Sequence, residues 1–376
     1  MKVPTAKPYF EDIDLILKDI KDILINGRLI LGDYTKRFEK EFSKYIDVDY
    51  AVAVSCATSA LEIVMRYFGI KGKEVIVPSN TFVACPNTII YAGGKPVFAE
   101  INPETYCIDP EDITKKITDK TVGIMVVHLG GLPVPEINKI QEICCKHNLF
   151  LLEDASQAHG AMVGNKKVGS LGDAACFSFY ATKNMTTGVG GMITTNDKKL
   201  VEFAQSLRCH GMGESLNKIE NFGYDWLMDE FRAAIGIHQL DKLEKFIRRR
   251  NEIAKKYMGF IDTIDGIKYL KVPNGIKHAY YKFIIVLSEE IDKDKLEKLM
   301  WDNYNVQLGS LYLLPCHLQP VYAKLGYGAG MLKVTEKALI RQTTLPVFSQ
   351  MTDEEVEYVT SCLKKALSNP AIYKKK

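Results

Sequence analysis

Residues 149–160 read LFLLEDASQAHG, and residues 174–191 read AACFSFYATKNMTTGVGG. Each stretch opens on a short apolar run of the buried-strand type and ends in polar groups. The first run delivers Asp154. An acid at the end of a buried strand is costly unless it meets a cation or hydrogen-bond donors. The second run delivers Lys183, on a loop bounded by Gly188, Gly190 and Gly191. A lysine in a partly desolvated site can have a lowered pKa and act as a nucleophile. Each residue also has an ordinary reading. Asp154 would make a salt bridge or cap the next segment, and Lys183 would be a surface lysine.

Working outward, the same pattern repeats. AVAVS at 51–55, EVIVP at 74–78, KPVFAEI at 95–101, TVGIMVV at 121–127 and GMITT at 191–195 are further apolar runs. Between them, Leu61, Val64, Met65 and Phe68 recur at helical spacing, and helices are expected near 82–92 and from about Pro135. Strands alternating with helices predict an α/β fold with a mainly parallel sheet of about seven strands. From Asp229 to about Phe260 the pattern is helical without proline, with a bend or break expected near Gly236. YYKFIIVL at 280–287 reads as a strand, 293–301 as a helix, and Asp353 to Leu367 as a closing helix. Two domains are expected: an N-terminal arm with the large domain over 1–245, and a smaller C-terminal α/β domain over 246–376.

The 376 residues are 47% hydrophobic, enough apolar side chain to build a core. The 49 basic against 46 acidic residues give +3, too even for a dedicated nucleic-acid binder. No run is long enough to span a bilayer. The opening MKVPTAKPYFEDID has no apolar leader core, and nine cysteines without framework spacing fit a reducing compartment. A cytoplasmic location is therefore expected, with no nucleic acid or membrane among the partners. The seven histidines show no metal-ligand spacing, so no metal is expected.

In open parallel sheets, ligands sit at the carboxyl ends of strands. Two more strand ends stand out there. Ser55-Cys56-Ala57-Thr58-Ser59 begins a helix, where backbone amides and hydroxyls can hold an anion, although Thr58 or Ser59 as a plain cap is the commoner use. Pro78-Ser79-Asn80-Thr81-Phe82 offers an aromatic that could stack on a planar ring, or simply join the core. An acid for a pyridinium, a lysine for a Schiff base, an aromatic for the ring face and a helix start for a phosphate are together the needs of pyridoxal 5'-phosphate.

The chain resembles the DegT family of sugar aminotransferases, which have the aspartate aminotransferase fold. The resemblance runs nearly end to end. It rests on VPSNTFVACPNTIIYAGGKPVF at 77–98, VVHLGG at 126–131, EDASQAHGA at 153–161, VGSLGDAACFSFYATKNMTTGVGGMITTND at 168–197, LRCHG at 207–211 and PCHLQPVY at 315–322. It implies that Lys183 carries the cofactor and moves a proton, and that Asp154 keeps the ring nitrogen protonated. It further implies that Gln157 supports the ring hydroxyl and Phe82 covers one ring face. Ala57, Thr58 and Ser178 would hold the phosphate, with Tyr312 and His317 on the substrate side. Homodimers are implied, with the segment around Asp225 reaching the partner's site. L-Glutamate is the implied donor, and a keto group on an activated sugar bound for a surface polysaccharide is the implied acceptor.

Four positions depart from the family pattern. Ala57 replaces a glycine, Asp225 an asparagine, Leu227 an arginine and Leu311 a histidine. The losses of cationic groups admit a smaller phosphorylated ketone, such as a triose phosphate, as acceptor. Lys183 weighs against a sugar dehydratase, whose relatives carry histidine there. Asp154 and Lys183 together weigh against a silent ligand-sensing regulator. The Gly188 cluster lacks the order of a nicotinamide-binding motif.

Overall fold

The seven apolar runs pair into one sheet in the computed structural model, which describes residues 1–213 and 218–373. They form β1 (Tyr50–Val54), β2 (Glu74–Pro78), β3 (Lys95–Ala99), β4 (Thr121–Val127), β5 (Phe150–Asp154), β6 (Ala174–Ser178) and β7 (Gly191–Thr195). Their spatial order is β1-β7-β6-β5-β4-β2-β3. Six run one way and β7 runs against its neighbours β1 and β6. The strands are buried on both faces, which is why they read as unbroken apolar runs rather than as alternation.

Each face is covered by helices. On one lie α2 (Asp33–Ile46), α5 (Pro110–Lys116), α6 (Ile137–His147) and the first half of α8 (Glu230–Ile261). On the other lie α3 (Ala57–Tyr67), α4 (Ala84–Tyr91) and α7 (Lys198–Arg208). Ahead of them, α1 (Ile13–Asn26) packs along α8.

Helix α8 does not break at Gly236. It is continuous for 32 residues. The glycine has a packing cause: a Cβ there would lie 2.6 Å from the Phe38 ring of α2. The helix serves two cores in turn. Ala233, Ile237, Leu243 and Ile247 face the large sheet, and Ile253, Ala254, Tyr257 and Ile261 enter a separate core. The changeover falls between Ile247 and Ile253.

That second core is built on β8 (Ile267–Tyr269), β9 (Phe283–Leu287) and β10 (Gln342–Leu345), an antiparallel sheet, with α9 (Lys293–Tyr304) and α12 (Asp353–Leu367). Val3 also belongs to it, pairing with Val306, so the N-terminal arm crosses to the C-terminal part. The aromatic-rich loop before β10 contains two short helices, α10 (Pro320–Ala323) and α11 (Lys333–Leu339). The strand expected from Tyr280 begins only at Phe283. Tyr280 has φ +43°, and the preceding segment turns to the loop after β4 instead: Ala279 N–H donates to Gly131 O (2.9 Å) and Lys282 N–H to Gly130 O (3.0 Å). No helix among the described residues is long and apolar enough to cross a membrane.

Candidate active site

The carboxyl ends of β1, β2, β4, β5 and β6 open on one edge, and the residues singled out above follow them. After β1, Cys56 caps α3. Its thiol accepts from Ser59 N–H (3.5 Å), and its own N–H donates to the Ser59 hydroxyl (3.2 Å). Ser59 therefore serves the cap, while the Thr58 hydroxyl has no hydrogen-bond partner among the described residues. Ala57 and Thr58 stand in the first turn, where amide N–H groups lack helical acceptors. Gly191 is paired with both Val54 and Ser178 in the sheet. A Cβ on Gly191 would fall 2.4–2.7 Å from Cys56 and Ala57 backbone atoms. That bare position lets β7 abut the start of α3 and sets Ser178 beside it.

After β5, Asp154 is 5% exposed. Its Oδ1 accepts from Ser156 N–H (3.0 Å) and its Oδ2 from the Cys85 thiol (2.9 Å). Burial, and then the Asp154 charge, push the Cys85 thiol well above its usual range, so it stays a protonated donor. No cation pairs with Asp154 among the described residues. Gln157 is clamped at both ends: Oε1 accepts from Gly130 N–H (2.8 Å), and Nε2 donates to the Tyr312 hydroxyl (2.9 Å). Phe82, following β2, is 55% exposed, with its ring 6.3 Å from that of Tyr312. Tyr312 holds φ +53°, a conformation rare for a residue of its size.

After β6, the turn closed by Lys183 N–H to Tyr180 O (2.9 Å) sets Lys183 over an aromatic face. Its Nζ lies 4.5 Å from the centre of the Tyr281 ring. Burial pushes the Tyr281 phenol up, but Lys183 and Lys282 outweigh it and hold the phenol below its usual value. His159 lies behind, its ring against Phe177 and Phe179. Burial, and secondly Lys183, push it down to about 3, so it is neutral.

The structure thus gathers Asp154, Gln157, Phe82 and Tyr312 on one side, with Lys183 facing Tyr281. Three further residues named above have other surroundings. His317 is fully buried with both ring nitrogens engaged, Nδ1 by the Ser79 hydroxyl (2.7 Å) and Nε2 by Glu336 (3.0 Å). In this form it braces the loop and has no free edge for a substrate, which corrects the expectation of a substrate contact. Asp225 is exposed, in a bridge with Cys209, and the next residue accepts Ser55 N–H at its carbonyl (2.8 Å). Leu311 is 6% exposed and packs with Leu129, Ile284 and Leu339. Sequence reading missed Cys85 and Tyr281. Cys85 is hidden inside a helix, and Tyr281 lies about a hundred residues beyond Lys183.

The set fits pyridoxal phosphate. A buried carboxylate without a cation suits a protonated ring nitrogen, an unpaired ammonium suits the aldehyde carbon, and the bare Gly191 keeps the amides at Ala57 and Thr58 beside Ser178 for a phosphate.

The comparisons with known proteins agree. The family model described as the DegT/DnrJ/EryC1/StrS aminotransferase family matches residues 11–364. The chain is 37% identical over 347 residues to dTDP-3-amino-3,6-dideoxy-alpha-D-galactopyranose transaminase of Aneurinibacillus thermoaerophilus, covering 91% of this chain and 93% of that one. It is 33% identical over 364 residues to the spore coat polysaccharide biosynthesis protein SpsC of Bacillus subtilis, covering 93% of each. Among solved structures, the aminotransferase TlmJ from Streptoalloteichus hindustanus superposes with a TM-score of 0.91 at 30% identity, covering 97% of this chain and 99% of that one.

Proposed function

Because the chain belongs to the DegT/DnrJ/EryC1/StrS aminotransferase family, we propose that it transfers an amino group from L-glutamate to a keto group of a nucleotide-linked sugar destined for a surface polysaccharide. It is an aminotransferase, and pyridoxal phosphate is its cofactor. The observation that carries the reading is that a buried, cation-free Asp154 and a Lys183 without a carboxylate partner follow the neighbouring parallel strands β5 and β6 at their carboxyl ends. Both groups lack the partner that a structural ion pair would have supplied.

When bound, pyridoxal phosphate supplies the electron sink for the charge left on the substrate carbon. The chain's own residues do the rest. The Asp154 carboxylate, fixed in place by Cys85 and Ser156, would keep the ring nitrogen protonated and offset its charge. Gln157, clamped between Gly130 and Tyr312, keeps its amide aimed beside the ring. Phe82 covers one ring face. Ala57, Thr58 and Ser178 bind the phosphate oxygens. Lys183 Nζ would take the proton from the substrate carbon and deliver it to the cofactor's C4′ carbon. It sits on the Tyr281 ring, and no carboxylate among the described residues pairs with it.

The smaller-acceptor alternative drew on Leu227 and Leu311. The apolar packing of Leu311 gives it no support. The retained Lys183 supports amine transfer over dehydration. A homodimer is in keeping with the exposed apolar side chains of α1, including Leu17 (56%), Leu24 (62%) and Ile25 (72%), and with Phe222 (99%). A cytoplasmic location suits an enzyme whose nine cysteines are all free. The test is competition among keto acceptors with L-glutamate as donor. Preferential turnover of nucleotide-linked ketosugars is expected, and preferential turnover of triose phosphates would overturn the acceptor assignment.

A further inference from the structure

Beside Lys183 the structure holds more positive charge than the reading above uses. Lys282 Nζ lies 5.3 Å from the centre of the same Tyr281 ring that Lys183 faces at 4.5 Å. Neither ammonium has a carboxylate partner among the described residues. Arg250, 3% exposed, stands next to them. Its Nη1 donates to Tyr280 O (3.0 Å) and Val347 O (2.9 Å), and its Nε has no partner. Two ammonium groups therefore share one phenol ring, Arg250 is bonded to the carbonyl of the residue before Tyr281, and no carboxylate among the described residues pairs with any of the three. Buried or half-buried charges are ordinarily paired, so this cluster is short of an anion.

The backbone carrying Tyr281 and Lys282 is fixed. Gly130 and Gly131 carbonyls accept from Lys282 N–H and Ala279 N–H. A Cβ on Gly131 would meet Tyr281 N at 3.0 Å and Tyr280 N at 3.1 Å, so the two segments touch main chain to main chain. The Tyr281 hydroxyl is tied to Thr182 Oγ1 (3.0 Å), one residue before Lys183. Both ammonium groups are therefore held to one rigid ring.

We propose that Lys282, seated on Tyr281, is the docking point for the α-carboxylate of the amino donor. The inference rests on the aminotransferase reading and deepens it. The chemistry selects the carboxylate. In an amino-acid donor it is bonded to the very carbon whose proton Lys183 moves, so it must lie within a few ångströms of Lys183 Nζ. The phosphates of a nucleotide-linked acceptor lie several bonds from the keto carbon. Burial, with Arg250 and Lys183 adding to it and the Tyr281 phenol opposing, holds the Lys282 ammonium below its usual range. A carboxylate arriving there offsets the neighbouring positive charge and gains a charge-assisted hydrogen bond.

The test uses the cofactor-loaded enzyme as wild type, Lys282→Met and Lys282→Arg, with glutarate as a non-reacting dicarboxylate probe. Lys282→Met is expected to weaken glutarate binding about tenfold or more and to raise the half-saturating L-glutamate concentration by a similar factor. Lys282→Arg should restore most of both. Half-saturation by the keto acceptor and affinity for pyridoxal phosphate should not move. In wild type, glutarate should also protect Lys282 from an amine-acylating reagent, read by peptide mass, which needs no variant to fold. Unchanged glutarate binding in Lys282→Met, or no protection in wild type, overturns the proposal. A rise in acceptor half-saturation alone would assign the lysine to the acceptor's phosphate and also overturn it. If wild type transfers no amino group from any amino acid, the proposed function fails, while the glutarate measurements still decide whether Lys282 binds a carboxylate.

Discussion

Asp154 and Lys183 are half of an arrangement that only a bound ring completes. Asp154→Asn keeps the shape but removes the charge, and its amide nitrogen can no longer accept from one of the two donors, Ser156 N–H or the Cys85 thiol. We expect the rate of amino transfer to fall by at least about 100-fold. Single-turnover kinetics with the two proteins checks this, and a variant within a few-fold of wild type would remove Asp154 from its role. These residues were legible in the sequence because polar groups at the ends of apolar runs have few structural excuses. Lys183 and Asp154 came from that rule, Phe82 from its place after a strand, and Gln157 from the family resemblance. His317 did not behave as its motif implied, because Ser79 and Glu336, at distances sequence cannot measure, had already claimed both its nitrogens. Cys85 and Tyr281 carried no local signal. A thiol within an apolar helix reads as core, and a tyrosine before a strand reads as a turn.

At the scale of elements, Gly236 marks how one helix can be misread. A glycine inside a helix costs roughly 1 kcal/mol relative to alanine, so a break is the natural expectation. Here the lost propensity is outweighed by the approach of Phe38, which itself packs against Phe179 near the active site at 5.2 Å between ring centres. Gly236→Ala should therefore destabilise rather than stabilise. Overpacking costs about 1–3 kcal/mol against a propensity gain of about 1. A lower urea midpoint is expected, and a higher one would show that Phe38 moves aside without cost. Glu230 binds the next pair of elements. From the start of α8 its carboxylate accepts from Gly32, Tyr34 and Thr35 N–H groups at the start of α2, and from the Thr35 hydroxyl. Glu230→Ala leaves those buried donors without acceptors and should cost about 3 kcal/mol or more in the same denaturation experiment. The strands of the large sheet were legible because burial on both faces writes them as apolar runs. Helix α2 carried a usable signal in Phe38, Phe42 and Ile46 at fourfold spacing. The contact between Glu230 and the start of α2, nearly two hundred residues apart, carried none.

For the whole molecule, two buried histidines set the acid limit of stability. His159 and His278 are each pushed down from 6.5 to about 3, His278 by burial and His159 by burial and then Lys183. His278 Nδ1 accepts from Tyr280 N–H (2.8 Å), which fixes it in the neutral form. Above 6.5 both are neutral whether the chain is folded or not, and this contribution is constant. As pH falls through 6.5, only the unfolded chain takes up the protons, so stability is lost progressively until about 3. By pH 5 the loss is about 2 kcal/mol apiece. Denaturant midpoints measured from pH 7.5 to 5 should fall accordingly, and His159→Phe should flatten the slope. An unchanged slope would mean that this histidine titrates normally in the folded protein. The apolar pattern of α8 continues from one core into the other. That Val3 crosses to the C-terminal core was not legible in the sequence, because a single valine in an arm carries no period.

The central claim is that Lys183, with Asp154 at the end of the neighbouring strand, performs amino transfer through pyridoxal phosphate. The visible absorption spectrum tests it most directly, recorded with the cofactor before and after L-glutamate for wild type and Lys183→Ala. Wild type should show the visible band of cofactor joined to a lysine, L-glutamate should bleach it, and Lys183→Ala should lack it. A wild type that takes up no cofactor, a wild-type band that no amino donor changes, or a Lys183→Ala protein that keeps the band would contradict the account.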